Sequence, residues 1–111
     1  MRKLTVTALA AALSAVLAAQ ALAATRTVKI GDDYFVRRGA RPTVTVHKGT
    51  RVTWRWAGKD VHNVAVTRGP VKFRSSYKTS GTFSRVMRRA GTYRIVCTVH
   101  SGMRMTLKVT R

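Results

Sequence analysis

The sequence predicts an all-β sandwich of about seven to eight short strands. Three observations lead there. Apolar and polar residues alternate at period two through most of the chain, turn formers punctuate the alternation at short intervals, and no helical period is sustained after residue 24. Strands that each carry one apolar face must bury it against a second sheet.

The chain opens with a segment outside that pattern. Met1-Arg2-Lys3 reads as a basic n-region, Leu4 to Leu17 as an apolar h-region, and Ala21-Leu22-Ala23 as a small-residue cleavage site. Residues 1–23 are therefore expected to be a secretory signal peptide, cut after Ala23. The apolar stretch is short for a spanning helix, which fits a retained anchor less well. The expected product, residues 24–111, is exported to the periplasm or to the extracellular side of the envelope and is soluble after cleavage. No cysteine stands near the cleavage site, so lipid attachment there is not expected.

Within residues 24–111 the strand segments are Thr27 to Ile30, Thr43 to Val46, Arg51 to Trp56, Tyr93 to Val99 and Met105 to Val109, with weaker ones at Val61 to Thr67 and Gly81 to Met87. Turns are expected at Gly31, Lys48-Gly49, Gly58, Gly69-Pro70, Gly81 and Ala90-Gly91. Alternation places Val52, Trp54 and Trp56 on one face, and likewise Tyr93, Ile95, Cys97 and Val99. Arg51, Thr53 and Arg55, and Arg94 with Thr98, fall on the opposite, solvated faces.

Charge is extreme: 22 Lys+Arg stand against three acids, Asp32, Asp33 and Asp60, and glutamate is absent. Without Arg2 and Lys3, 20 basic residues remain, a net +17. Such a field attracts acidic partners or an anionic envelope surface. Nucleic acid is not expected, because the cations are spread along strands and form no known nucleic-acid motif. An acid pair for catalysis is missing, and no orienting group or oxyanion site accompanies Cys97 and His100, so enzyme activity is not expected.

The densest chemistry lies between Cys97 and Met103. The only cysteine, one of three histidines and a methionine fall there within seven residues, with Met105 just beyond. A lone cysteine cannot make an internal disulfide. Thiolate, imidazole and thioether together suit copper, whereas zinc rarely takes methionine. A further ligand must come from elsewhere, and His62 is the best candidate. His47, before the Lys48-Gly49 turn, reads as a surface histidine.

Taken in order, Val28-Lys29-Ile30, Asp33-Tyr34-Phe35, Val46-His47-Lys48-Gly49-Thr50, His62-Asn63-Val64, Gly91-Thr92-Tyr93 and Cys97-x-x-His100-x-x-Met103 resemble the small blue-copper proteins, in the plastocyanin, pseudoazurin and amicyanin branch of the cupredoxins. The resemblance spans nearly all of residues 24–111. It implies a cupredoxin-like Greek-key sandwich with one copper ion at one end, held by His62, Cys97, His100 and an axial methionine. Met103, three residues after His100, matches the short amicyanin-type loop; Met105, at the plastocyanin-like separation, is the alternative and by alternation a core residue. Asn63 matches an asparagine that ties the two ligand loops together and supports the Cys97 sulfur. Two departures stand out: Val99 replaces the proline common before the histidine, and the connection from Val36 to Arg41 is longer than usual.

The function implied is that of a monomeric, exported one-electron carrier meeting an acidic redox partner through the exposed edge of His100. The alternative is a module that stores or delivers copper, which needs the ligands but not a fixed geometry.

Overall fold

In the computed structural model, which describes residues 24–111, the alternating segments form eight strands in two four-stranded sheets. They are β1 (Thr25–Gly31), β2 (Tyr34–Phe35), β3 (Thr43–His47), β4 (Arg51–Trp56), β5 (Ala65–Arg68), β6 (Thr82–Val86), β7 (Gly91–Val96) and β8 (Arg104–Thr110). The expected signal segment lies outside the described residues. One sheet has the order β2-β1-β4-β6, the other β3-β8-β7-β5. The chain leaves one sheet for the other after β2, β3, β4, β5 and β6. As a result two of the pairings, β1 with β4 and β3 with β8, are parallel.

Period-two patterning carries the packing. Val28 and Ile30 of β1 and Val52, Trp54 and Trp56 of β4 face Tyr93 and Ile95 of β7 and Met105, Leu107 and Val109 of β8, all buried. Arg55, Arg94 and Lys108 point outward from the same strands and are exposed, which is where much of the positive charge goes. An aromatic cluster joins the sheets: the Trp54 ring centroid lies 6.1 Å from Phe73 and 5.8 Å from Phe83, and Phe73 lies 6.3 Å from Tyr93. These tilted arrangements suit ring quadrupoles better than face-to-face stacking.

Strand ends define the functional pole. Ile30 of β1 lies beside Trp56 of β4, while Ala65 of β5 and Arg104 of β8 flank Val96 of β7. Loops leaving these ends carry His62, Cys97, His100 and Met103. His47 sits at the far end, paired with Thr110, whose hydroxyl is 3.0 Å from His47 Nδ1.

Three sequence expectations need correction. The strand read as Tyr93 to Val99 ends at Val96, and Val99 is exposed instead of facing inward. The reason is a change of partner one residue on: Cys97 N–H still donates in register to Met103 O, but Thr98 N–H turns to the Asn63 side chain, so the ladder stops there. The segment from Val61 to Thr67 forms a strand only from Ala65; His62 instead makes an isolated bridge with Lys78. Gly31 does not lie in the turn but closes β1, paired with Tyr34, and the turn itself is Asp32-Asp33.

Buried Tyr93 donates from its hydroxyl to Arg89 O at 2.8 Å, holding the β6–β7 connection to the core. Tyr93→Phe should cost about 0.5–1.5 kcal/mol, the net value of one such bond, as measured by chemical denaturation at neutral pH. An unchanged midpoint would show that the connection is held by packing alone.

Candidate metal centre

The site begins with two loops whose backbones are held before any side chain is considered. His62 N–H donates to Lys78 O at 2.9 Å, and Lys78 N–H returns a bond to His62 O at 3.0 Å. Trp56 Nε1 also donates to His62 O at 3.3 Å. His62 is wholly buried as a result, and its ring has one place to go.

The second loop is closed on itself. Cys97 N–H donates to Met103 O at 3.0 Å and Met103 N–H to His100 O at 3.3 Å. Gly102 stands third in the turn from His100 to Met103 with φ +81°, a conformation that glycine adopts without strain. Asn63 then ties the loops together, its Oδ1 accepting from Thr98 N–H at 2.8 Å and from the Thr98 hydroxyl at 3.2 Å. The loop-tying role inferred for Asn63 thus has a direct geometric counterpart. Its amide nitrogen is buried without a partner, and no hydrogen bond runs from it to the Cys97 sulfur.

Together the loops place His62 Nδ1 3.1 Å from His100 Nδ1, with Cys97 Sγ 3.9 Å from the first and 3.5 Å from the second. Cys97 is buried and the His100 side chain is 27% exposed. Met103 lines the same depression as Cys97 and His100. Met105 is equally buried but lies opposite Ile95 in the β7–β8 ladder, within the core. His47, at the other pole, takes no part.

The sequence reading missed the acids at the histidines' outer edges. Asp32 Oδ1 lies 3.2 Å from His62 Nε2, and Asp33 Oδ1 lies 3.1 Å from His100 Nε2. Asp60, the acid next to His62 in sequence, is exposed and hydrogen-bonds neither ring; its N–H instead donates to Asp32 Oδ1 at 2.9 Å. The available signal was rarity, since Asp32 and Asp33 are two of three acids in a strongly basic chain and stand side by side in a two-residue turn.

Electrostatics then assigns the ring protons. Backbone N–H donation from Asp60 and Lys59 holds the Asp32 carboxyl down at about 2 against the opposing effect of burial, with smaller help from His62. Asp32 is thus an acceptor at neutral pH, and His62 Nε2 must be the donor. Because its pKa falls on folding, Asp32 favours the fold fully above its ordinary value of 3.8, and that contribution disappears as pH drops toward about 2. The Asp33 carboxylate, 3.1 Å from His100 Nε2, favours a proton at that nitrogen as well. Both Nδ1 atoms are then lone-pair donors turned toward the thiol and toward each other.

Two lone pairs at that distance repel unless a proton or cation lies between them. With a thiol and two imidazoles whose donor atoms all fall within 4.8 Å of one another, the set fits one soft or borderline metal ion. The adjacent thioether narrows the choice to copper.

Comparison with known proteins agrees. The family model described as copper binding proteins, plastocyanin/azurin family, matches residues 26–110. Amicyanin from Paracoccus versutus (Thiobacillus versutus) aligns with a TM-score of 0.65 at 29% identity over 83% of this chain and 87% of its own. A purple cupredoxin from Nitrosopumilus maritimus gives 0.65 at 21% identity over 77% of this chain and 99% of its own, a likeness of fold. The Cu-containing nitrite reductase NirK from Thermus scotoductus SA-01 gives 0.66 at 18% identity over 78% of this chain, but only 22% of that enzyme's length is covered. No curated protein matches the sequence.

Asn63→Ala should leave the part-buried Thr98 N–H without its acceptor, costing about 0.5–1.5 kcal/mol in stability and freeing the ligand loop to move. Thermal melts and amide exchange at Thr98 would register both effects; unchanged exchange would mean that the loop is held by its own internal bonds.

Proposed function

This chain belongs to the plastocyanin/azurin family of copper-binding proteins, and on that premise we propose that it is a one-electron carrier in which His62, Cys97, His100 and Met103 hold a single copper ion. The convergence of both imidazoles on one buried thiol carries this reading. Copper held by such donors supplies a Cu(I)/Cu(II) couple, because thiolate, imidazole and weak thioether together suit both oxidation states.

The protein's part is to keep the donors still. His62 is fixed by its bridge to Lys78, and Cys97 by its bond to Met103. Thr98, between Cys97 and His100, is held by Asn63. Little can rearrange when charge changes. Burial of Cys97 keeps water from the sulfur, and the hydrogen bonds around the ligands tune the potential. Met103 is the better axial candidate because it shares the Cys97–His100 depression, whereas Met105 is a core residue.

His100 is the ligand candidate nearest solvent, which supports electron passage through its edge. The exposed large apolar side chains among the described residues gather around it: Val61 precedes His62, Val99 precedes His100, and the Tyr77 hydroxyl lies 3.0 Å from the Thr98 hydroxyl. Such a patch suits docking of a protein partner. Arg41, which lines a depression with Gly102 and Met103, and Arg104 on β8 flank it, so the reading extends to an acidic redox partner. Export as a monomer, through the N-terminal signal, completes the proposal.

Adding Cu(II) to the protein should produce an intense visible thiolate band at one equivalent of metal. Cys97→Ser should abolish it, while His47→Ala leaves it intact; colour surviving in the serine variant would refute the assignment. Met103→Leu should raise the reduction potential, since loss of a weak axial donor destabilises Cu(II) more than Cu(I). Met105→Leu should cost under about 1.5 kcal/mol and leave the potential alone. The opposite pattern would make Met105 the axial ligand.

Electron transfer to an acidic partner should slow as salt rises, because steering is screened over roughly 8 Å at physiological ionic strength. A rate that is flat or climbing with salt would assign the charge to another purpose, such as an anionic envelope surface.

A further inference from the structure

We propose that the two-residue turn Asp32-Asp33 is a clamp that positions both ligand histidines from outside the metal centre, one carboxylate on each Nε2. The inference rests on the copper reading above and adds residues that are not themselves metal ligands.

Asp32 is built into its place. Besides His62, its carboxylate accepts from Lys59 N–H at 2.9 and 3.0 Å and from Asp60 N–H at 2.9 Å, in the loop that leads to His62. Gly58 leaves room for it, since a Cβ there would come 2.1 Å from Asp32 Oδ1. Ring and loop are thereby held by one group.

Asp33 reaches the other ring by a change of backbone direction. Its φ is +73°, a conformation that aspartate tolerates better than most residues. Successive side chains of the turn thus fall on different histidines. The Tyr34 ring folds back across Gly31, where a Cβ would collide with it, and Arg38 stacks on that ring at 5.1 Å while donating to Asp32 O at 3.4 Å. The turn is pinned from its solvent side as well.

The placement is not a by-product of composition. Every acid of this chain, three against 22 cations, lies at the metal pole within 4.8 Å of one histidine or the other. A carboxylate on Nε2 fixes the tautomer, stops ring rotation and makes Nδ1 a stronger donor. Stronger donation favours Cu(II) over Cu(I), so the clamp lowers the reduction potential.

Asp33→Asn is the cleaner test, because its side chain is 56% exposed and its carboxylate lies 3.1 Å from His100 Nε2 alone of the two rings. It should weaken Cu(II) binding about tenfold or more, as loss of such outer partners does. Each tenfold loss confined to Cu(II) raises the potential by about 59 mV. Asp32→Asn should act in the same direction. Asp60→Asn removes an equal charge nearby without a hydrogen bond to either ring, and should shift affinity and potential less than either clamp variant. Chelator competition and voltammetry read these effects, and ring nitrogen-15 NMR of the metal-free protein should show Nε2-protonated His62 and His100, with each signal shifted by the asparagine on its own side. Wild-type affinity and potential in both clamp variants, or an equal shift in Asp60→Asn, would overturn the proposal. Failure of the wild type to give a thiolate band would sink the copper reading, and the metal-free spectra would still decide whether the clamp exists.

Discussion

The arrangement on which the rest of the molecule depends is a pair of imidazole nitrogens facing each other at 3.1 Å beside a buried thiol. With the protons on the outer Nε2 atoms that geometry is unfavourable, because each ring then turns a lone pair toward the other. The fold therefore has to impose it. The bridge from His62 to Lys78, the closed turn from His100 to Met103 and the cross-link from Asn63 to Thr98 each fix backbone near a donor. Two rigid sheets supply the ends from which these loops leave. Thermodynamically, a site held open against its own repulsion spends little further ordering energy when a cation arrives.

Charge is distributed with the same economy. Along the strands, arginine and lysine occupy the outward half of an alternating pattern and cover apolar surface with their stems. Acids are kept for one pole. There Asp32 and Asp33 lie against the imidazole Nε2 atoms, and Asp32 also accepts from backbone N–H groups. The resulting surface is basic everywhere except in a small zone around the metal centre, where both signs meet beside Val61, Tyr77 and Val99. A partner arriving there meets an apolar, mixed-sign face set in a positive field.

Much of this was legible in the sequence because it rests on local rules. Period-two alternation identified the strands that carry the core, from Val52 to Trp56 and from Met105 to Val109, and the Cys97-x-x-His100-x-x-Met103 spacing with His62-Asn63 marked the donors. What escaped was decided by non-local partners. Val99 continues the alternation perfectly, but Asn63 takes the Thr98 N–H and ends the strand first. β2 is two residues long and exists only because Ile30 and Gly31 pair back onto it. Asp32 lies 30 residues from His62 in sequence, and no periodicity announces that a hairpin tip will reach a ring. Asp60 is the acid nearest His62 in sequence, yet the hairpin brings Asp32 to that ring instead.

The parallel pairing of β3 with β8 has a consequence for how the chain reaches this state. Partners such as His47 and Thr110 are 63 residues apart, so the ladder that closes the second sheet must wait until most of the chain has been ordered. Topologies dominated by such distant pairings fold slowly, and in the interval their strand edges are open to other chains. Here six of the eight strands carry cations, β2 and β3 being the exceptions, and the whole chain repels its copies at long range. The excess of arginine and lysine thus has a kinetic use that no contact in the finished sandwich records: it keeps half-folded molecules apart while β3 waits for β8.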